Sequence, residues 1–341
     1  MRDFLCPRCN QRLAFENSAC LACGTALGLS AELRSFTTLG TGGVVKCRNA
    51  DLAGCNWVVT DQPRHGLCLS CRLTRTRPAS SDQGAMPAFR AAEAAKRRLV
   101  FELLELRLPI RGRDVDPEAG LRFDLLSSSQ RRVLTGHDSG LITLDLAEGD
   151  DVHREQLRIA MAEPYRTLLG HMRHEIGHYY YMVLVGDQPS PTKDRFTELF
   201  GDPDVSYQSA LDRHYSRSAP PDWAERFVSS YATMHPAEDW AETFAHYLHI
   251  RDTVDTASEF GMAPAGVTLA GGSQLVGELG LDRLIEVWLP LSWALNMLNR
   301  SMGHSDLYPF VLPGPTLEKM RLVHNLVTGV PASPGVTPAN A

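Results

Sequence analysis

Apolar residues recur at helical spacing in the middle of the chain, between Glu163 and Val185. Glu163-Pro164 suits a first helical turn, and the segment ends at Gly186. The apolar stripe consists of Leu168, Leu169, Met172, Ile176, Tyr179 and Val183. Because such a stripe packs into a core and leaves the adjacent face polar, the pattern predicts an amphipathic helix.

A second helix is predicted to begin at Pro236, because proline suits the first helical position and Trp240, Phe244 and Leu248 form a core stripe. The alanines on this helix, which suggest close packing against another element, are Ala237, Ala241 and Ala245. Further helices are predicted at Phe89–Leu108, Leu281–Arg300 and Leu317–Val327. Beyond Asp151 nearly every segment of regular secondary structure is therefore predicted to be helical.

Strand-like segments are confined to the region before Asp151. The candidates are Leu121–Leu126, Arg132–Thr135 and Gly140–Leu146. The third segment is predicted to be either an edge strand that can pair with an extended peptide or an interior strand of the same sheet. Together with the helices, these strands predict an α+β fold in which a small mixed sheet packs with helices.

Composition divides the chain into domains. Residues 1–77 hold all eight cysteines, 78–88 form a polar linker, 89–330 form a mostly helical second domain, and 331–341 form a disordered tail. The 341 residues are 43% hydrophobic with a net charge of −6, as expected of a globular protein with more than one domain. The apolar run around Val287–Leu291 is interrupted by proline, so no membrane segment is expected.

The cysteines form two sets of four, each typical of a structural zinc site. The first set has two Cys-x-x-Cys knuckles, and the second has a widely spaced pair followed by one knuckle. The first set is Cys6, Cys9, Cys20 and Cys23, and the second is Cys47, Cys55, Cys68 and Cys71. His65 is an alternative ligand in the second set. Disulfides are disfavoured, because no secretory signal peptide is recognised and such knuckles are typical of reducing compartments, which predicts a cytoplasmic protein.

The charge of the cysteine-rich region argues against nucleic acid as a partner. Residues 1–77 contain ten Lys and Arg against five Asp and Glu. Four thiolates around one divalent zinc carry a charge of minus two, so two such sites bring the region close to neutrality. That is too little positive charge for a strong phosphate-binding surface. The region is expected to stabilise a small lobe that docks on the second domain or recognises protein.

The helix predicted before Gly186 contains the sequence His174-Glu175-Ile176-Gly177-His178. Two imidazoles four residues apart point the same way on a helix and can hold one zinc ion, and Glu175 then lies beside the metal as a general base. Zinc lowers the pKa of a coordinated water towards neutrality. The motif therefore predicts metal-assisted hydrolysis of an amide bond.

A third zinc ligand must come from elsewhere in the chain. The long metzincin motif is excluded, because its glycine and third histidine would fall at Tyr181 and Leu184. Glu238 and Glu242 share one face of the second predicted helix at a spacing of four, and on the residues alone either could be the ligand. His235, before this helix, could be an N-cap, a proton donor or a surface residue.

This arrangement resembles the glutamate-type zincins, which include thermolysin-like and lethal-factor-like peptidases. The resemblance implies that Glu238 is the ligand and that Glu242 accepts a hydrogen bond from a zinc-bound imidazole. It also implies that Tyr231, seven residues before Glu238, donates a hydrogen bond to the oxyanion of the intermediate. An ordinary half-buried tyrosine remains the other reading of Tyr231. His171 is expected beside the site.

Over roughly residues 1–328 the chain resembles a family of bacterial zinc-binding metallopeptidases with an N-terminal double zinc ribbon. The resemblance is carried by the two cysteine sets and by Gly170–Tyr180 and His235–Thr243. It implies a zincin-like domain, one catalytic and two structural zinc ions, and a peptide or protein substrate. Two other functions remain open: a catalytically silent protein-binding adaptor, and a zinc amidase that acts on a small-molecule amide.

Overall fold

The computed structural model describes residues 1–60, 66–129, 132–150, 167–186, 188, 190–217, 219–262 and 280–329. The chain forms two units, Met1–Leu157 and Arg158–Ala341. Three features of the sequence lie outside the described residues: His65, the predicted helix start at Glu163-Pro164, and the tail 331–341. The predicted domain boundaries at 77 and 88 stay predictions.

Unit 1 begins with short antiparallel hairpins around the cysteines. Their strands and helices are β1 (Phe4–Leu5), β2 (Arg12–Leu13), β3 (Leu27–Ser30), β4 (Ser35–Thr38), β5 (Val45–Lys46), α1 (Ala50–Ala53), β6 (Val58–Val59) and α2 (Leu69–Arg72). The pairs are β1 with β2, β3 with β4, and β5 with β6. Asn10 and Gly24 close the first two knuckles in left-handed conformations, with φ of 59° and 69°. Their N–H groups donate to the carbonyls of Cys6 and Cys20, each at 2.9 Å.

The main sheet of unit 1 has four strands and is mixed. After β7 (Thr74–Thr76) and helix α3 (Met86–Glu105) come β8 (Arg122–Leu126), β9 (Gly136–Asp138) and β10 (Leu141–Asp145). The order is β7-β8-β10-β9, with β8 parallel to β7 and to β10, and β9 antiparallel to β10.

Two strand predictions require correction. Strand β10 lies between β8 and β9, so the reading of Gly140–Leu146 as an edge strand is wrong, because both of its backbone edges are already paired. The predicted strand Arg132–Thr135 is also wrong. In the described residues 132–135 no strand forms, and the strand is Gly136–Asp138, where the backbone meets Leu141–Thr143 in register.

Helix α3 packs against both the hairpins and the sheet of unit 1. The Phe101 ring lies 5.8 Å from the ring of Phe4 and 5.4 Å from that of Phe15. The Arg97 guanidinium donates to the carbonyl of Gly54 at 3.0 Å, at the end of α1. The buried Lys96 ammonium donates to Glu93 at 2.7 Å and also contacts Thr74 on β7. One helix therefore supports both cysteine regions and the first strand of the sheet.

Unit 2 is helical in its described residues. Its helices are α4 (Leu168–Tyr181), α5 (Ser190–Phe200), α6 (Tyr207–Arg217), α7 (Pro236–Glu259), α8 (Leu281–Ser301) and α9 (Gly314–Gly329). Helix α4 continues as a π-helical turn over Met182–Gly186. At the start of α4 the Thr167 hydroxyl accepts from Gly170 N at 3.0 Å. At the start of α7 the His235 Nδ1 accepts from Ala237 N at 3.0 Å, so the N-cap reading of His235 is the one observed.

Helices α4 and α7 approach closely at a glycine. A Cβ added at Gly177 would lie 3.0 Å from Ala241 Cα, so nothing larger than hydrogen fits there without movement. The Trp240 indole N–H donates to the Gly177 carbonyl at 2.9 Å, and the Tyr180 and Phe244 rings stack with centroids 5.4 Å apart. The close packing predicted from the alanines of α7 is therefore packing against α4. It brings the polar residues of both helices together.

The expected α+β fold class is confirmed, with the mixed sheet and cysteine hairpins in unit 1 and the long helices in unit 2. None of the helices in the described part of the chain combines the length and the apolar character that a bilayer span requires.

Candidate metal sites and active site

The eight cysteines gather into the two sets of four that the spacing predicts. In the first set the Sγ atoms of Cys6 and Cys23 are 3.8 Å apart, and those of Cys9 and Cys20 are 3.6 Å apart. In the second set Cys55 and Cys68 are 3.7 Å apart. Four sulfurs at about 2.3 Å from one ion lie about 3.8 Å apart in a tetrahedron, so both clusters fit zinc. All eight cysteines are free of disulfides.

Replacing Cys71 with serine should remove one zinc ion per chain and prevent stable folding around the second cluster. A four-thiolate site contributes on the order of 10 kcal/mol, which is comparable to the entire stability of a typical domain. The measurement is zinc per chain by mass spectrometry, with the near-ultraviolet circular dichroism of the buried Trp57 as the folding readout.

The adjacent Ser70→Ala substitution is the matched control. Ser70 lies on the same short helix, and its buried hydroxyl has no hydrogen-bond partner within the described residues. Zinc content and the Trp57 signal should therefore be unchanged. A Cys71→Ser protein with full zinc content and a native Trp57 signal would contradict the assignment of this cluster.

A third cluster lies in unit 2, where α4 and α7 meet. Each of His174, His178 and Glu238 offers one ligand atom, and these three atoms lie within 4.8 Å of one another. Glu238 Oε2 is 3.0 Å from His174 Nε2 and 3.5 Å from His178 Nε2. Nitrogen and oxygen ligands at about 2.0–2.1 Å from a tetrahedral ion lie about 3.3 Å apart, so the donor set and its spacing fit zinc.

The second nitrogen of His174 is held by another carboxylate. His174 Nδ1 lies 2.7 Å from Glu242 Oε1, and the Ser229 hydroxyl donates to Glu242 Oε2 at 2.6 Å. A proton on Nδ1 that is donated to Glu242 makes Nε2 the nitrogen whose lone pair would bind a metal ion, on the side of the ring that faces Glu238. Metal-binding histidines are commonly oriented in this way by a carboxylate.

The electrostatics of the cluster favour a cation at His174 Nε2. Burial alone would lower the pKa of His174, but its hydrogen bonds to Glu238 and Glu242 hold that pKa well above its usual range. Burial would raise the pKa of Glu238, and the two histidines hold it well below its usual range instead. The same opposition of burial and hydrogen bonding lowers the pKa of Glu242 to about 2. Both carboxylates are therefore ionised at neutral pH.

Glu175 lies beside this cluster with one oxygen anchored. Its Oε1 is 3.2 Å from His171 Nε2, one helical turn earlier, so the expectation that His171 neighbours the site agrees with the geometry. Its Oε2 is buried and has no hydrogen-bond partner among the described residues. Burial would raise the pKa of Glu175, but the His171 hydrogen bond and the nearby histidine charges lower it. An ionised carboxylate oxygen that no described residue holds is suited to accept a proton.

Two tyrosines border the cluster, and the sequence pointed to only one of them. Tyr231, on a short 3₁₀ turn, has its ring 5.9 Å from the His174 ring. Tyr207, the first residue of α6, donates from its hydroxyl to Glu238 Oε1 at 2.9 Å. Burial and the Glu238 charge raise the pKa of Tyr207, which keeps its hydroxyl protonated and able to donate. No spacing or motif marks Tyr207, which is 31 positions before Glu238.

His246 and His249 lie further along α7 and are not among the clustered ligand atoms. His246 Nδ1 is 2.7 Å from the Tyr308 hydroxyl, and the His249 ring lies 5.3 Å from the Tyr308 ring. Burial lowers the pKa of His246 to about 4 and that of His249 to about 3. Both are therefore neutral members of a buried aromatic group.

Comparisons with known proteins agree on the nature of both regions. Residues 85–326 match a family described as putative zinc-binding metallo-peptidase, and residues 3–82 match a zinc-ribbon domain family. Uncharacterized proteins of Mycobacterium bovis and Mycobacterium tuberculosis are each 58% identical to the chain over 342 residues. These alignments cover 100% of the chain and 99% of each relative. No solved structure shows significant similarity to the chain.

Proposed function

This chain belongs to the zinc-binding metallo-peptidase family with an N-terminal zinc ribbon, as its motifs predicted, and we propose that it hydrolyses peptide bonds. The observation that supports this proposal is the convergence of His174 Nε2 and His178 Nε2 on Glu238 Oε2. Glu175 lies within electrostatic reach of both histidines, and its Oε2 has no hydrogen-bond partner among the described residues. Two imidazoles and one carboxylate are the donor set of many hydrolytic zinc sites.

In this proposal His174, His178 and Glu238 hold the zinc ion. When bound there, zinc supplies Lewis acidity towards a water molecule and towards the scissile carbonyl. Glu175 Oε2 takes the proton from the attacking water and later delivers it to the nitrogen of the departing amine. His171 holds Glu175 Oε1 throughout, which keeps Oε2 directed at the reacting atoms.

The tyrosine hydroxyls supply the remaining polar contacts. We assign Tyr231, beside the His174 ring, to donate a hydrogen bond to the developing oxyanion. Tyr207 acts on the metal ligand instead, because its hydroxyl holds Glu238 Oε1 and leaves Oε2 to face both histidines. Glu242 and Ser229 fix the His174 ring.

Replacing Tyr207 with phenylalanine should weaken zinc binding at this site by about 10- to 100-fold, the usual effect of losing a group that orients a ligand. The measurement is a zinc titration in competition with a chromophoric chelator. The binding step that disappears in the His174→Ala variant is the one that belongs to this site. Tyr181→Phe is the control, because Tyr181 lies on α4 and its ring contacts Phe196 and Trp240 rather than Glu238. Equal zinc affinities for Tyr207→Phe and wild type would refute this role.

The reaction itself is tested with an unfolded polypeptide as substrate. The protein loaded with zinc is incubated with reduced, alkylated casein, and new N-termini are identified by mass spectrometry. We expect cleavage that stops when a chelator removes the metal and resumes when zinc is returned. A panel of N-acyl amino acids is measured in parallel, and turnover of these compounds without casein cleavage would replace the peptidase with a small-molecule amidase.

A further inference from the structure

Helix α8 carries an apolar face that points away from the core of unit 2. Its buried side includes Leu284, Trp288 and Leu291. On the opposite side Trp293 is 64% exposed and Leu289 is 54% exposed. A tryptophan with most of its surface in water is unusual, and large exposed apolar patches mark interaction surfaces. None of the histidines and carboxylates of the metal centre lies on this helix.

Two opposite charges flank Trp293 symmetrically on this face. Glu286 lies seven residues before Trp293, and Arg300 lies seven residues after it. Seven residues make about two helical turns, so all three side chains share one face about 21 Å long. Leu289 and Met297 lie between them, four residues on either side of Trp293. The Glu286 side chain is 64% exposed and that of Arg300 is 57% exposed.

We infer that this face, Glu286 to Arg300, pairs with the same face of a second copy of the chain. In an antiparallel pair with a two-fold axis at Trp293, Leu289 of each copy meets Met297 of the other. Glu286 of each copy then meets Arg300 of the other, so one ion pair forms at each end of the helix–helix contact. A two-fold interface must be self-complementary in this way, and buried tryptophans at the centre of such contacts contribute most of the binding energy.

The present partners of the two charges leave them available to a second copy. Glu286 pairs with Arg283 at 2.9 Å, and Arg300 pairs with Asp306 at 2.6 Å. The exposed Glu286–Arg283 pair contributes about 0–1 kcal/mol and competes only weakly with a new partner. Arg300 holds Asp306 through Nε at 2.6 Å and Nη2 at 2.7 Å, so Glu286 of the second copy meets its other terminal nitrogen. Arg300 also has five N–H donors and can hold two carboxylates at once.

The experiment is sedimentation of the full-length protein over a range of concentrations. The wild type should approach twice its monomer mass of 37.6 kDa at high micromolar concentration. Trp293→Glu should be monomeric under the same conditions. Glu286→Arg should weaken the dimer at least tenfold, because the introduced guanidinium of each copy then faces Arg300 of the other. The double variant Glu286→Arg/Arg300→Glu should restore dimerisation to within a few-fold of wild type.

Val311→Glu is the matched control, because Val311 is 76% exposed, belongs to unit 2 and lies outside α8. It should dimerise like the wild type, and thermal melting verifies that each variant is folded. The inference would be overturned by a wild type that is monomeric at every concentration, by a dimer that survives Trp293→Glu, or by a double variant as weak as the single one. Growth into open assemblies would also overturn it, since a two-fold interface closes.

Discussion

Substituting glutamine for Glu175 is expected to lower kcat/KM for peptide hydrolysis by about 10²- to 10⁴-fold while zinc content stays at the wild-type level. The amide cannot take the proton that the carboxylate oxygen Oε2 would accept, and general-base catalysis contributes a factor of this size. The glutamine oxygen can still accept the hydrogen bond from His171, whose Nε2 lies 3.2 Å from Glu175 Oε1, so the local structure is kept. The measurement combines initial rates with zinc per chain.

Glu198→Gln is the control for this substitution. Glu198 lies on α5 with its side chain 65% exposed and pairs with Arg195 on the surface, so the same chemical change should leave both zinc content and rate unaltered. Undiminished hydrolysis by Glu175→Gln would remove this residue from the mechanism. Loss of zinc from Glu175→Gln would mean that Glu175 is a ligand rather than a base.

Replacing Glu238 and Glu242 with alanine, one at a time, should distinguish the metal ligand, Glu238, from the residue that orients His174, Glu242. Glu238→Ala removes the oxygen that faces both histidines, at 3.0 and 3.5 Å. We expect it to lose the zinc of unit 2 and all hydrolysis. Glu242→Ala removes only the partner of His174 Nδ1, so we expect it to retain zinc at saturation with an affinity about 10- to 100-fold weaker. Both zinc content and affinity are measured for each variant.

These two variants control each other, because they make the same truncation one helical turn apart on α7. Zinc bound by the eight cysteines should be unaffected in either variant and so serves as an internal standard. If Glu242→Ala lost the metal and Glu238→Ala kept it, the two roles would be reversed. Equal zinc affinities in both variants and wild type would exclude both residues from the site.

Much of the fold followed from local patterns. The helices beginning near Phe89, Pro236, Leu281 and Leu317 all form, with bounds that differ by a few residues, because their apolar spacing acts within the helix itself. The sheet was predicted less well. Strand β7, at Thr74–Thr76, lies in the region read as zinc ribbon, yet it pairs with β8 some 50 residues later. Pairing over that distance leaves no local signal in the sequence. The interior position of β10 was not predictable for the same reason, because it also depends on pairing with other strands.

The sequence by itself determined which chemical groups share a surface. Helical geometry puts His174 and His178 on one face of α4, and Glu238 and Glu242 on one face of α7. The two short knuckles of the first cysteine set likewise determined their grouping, because a four-residue knuckle can close only locally around one ion. The second set followed because it accounts for the four remaining cysteines. His171 is a further example, since it reaches Glu175 within the same helix.

Only the tertiary structure decided what faces those groups. The contact of Gly177 with Ala241 sets the register of α4 against α7, and that register directs Glu238 to both Nε2 atoms and Glu242 to His174 Nδ1. Tyr207 reaches Glu238 from a different helix. Such contacts depend on how separate helices pack. Because the whole core of unit 2 determines this packing, the spacing of residues along the chain does not predict it.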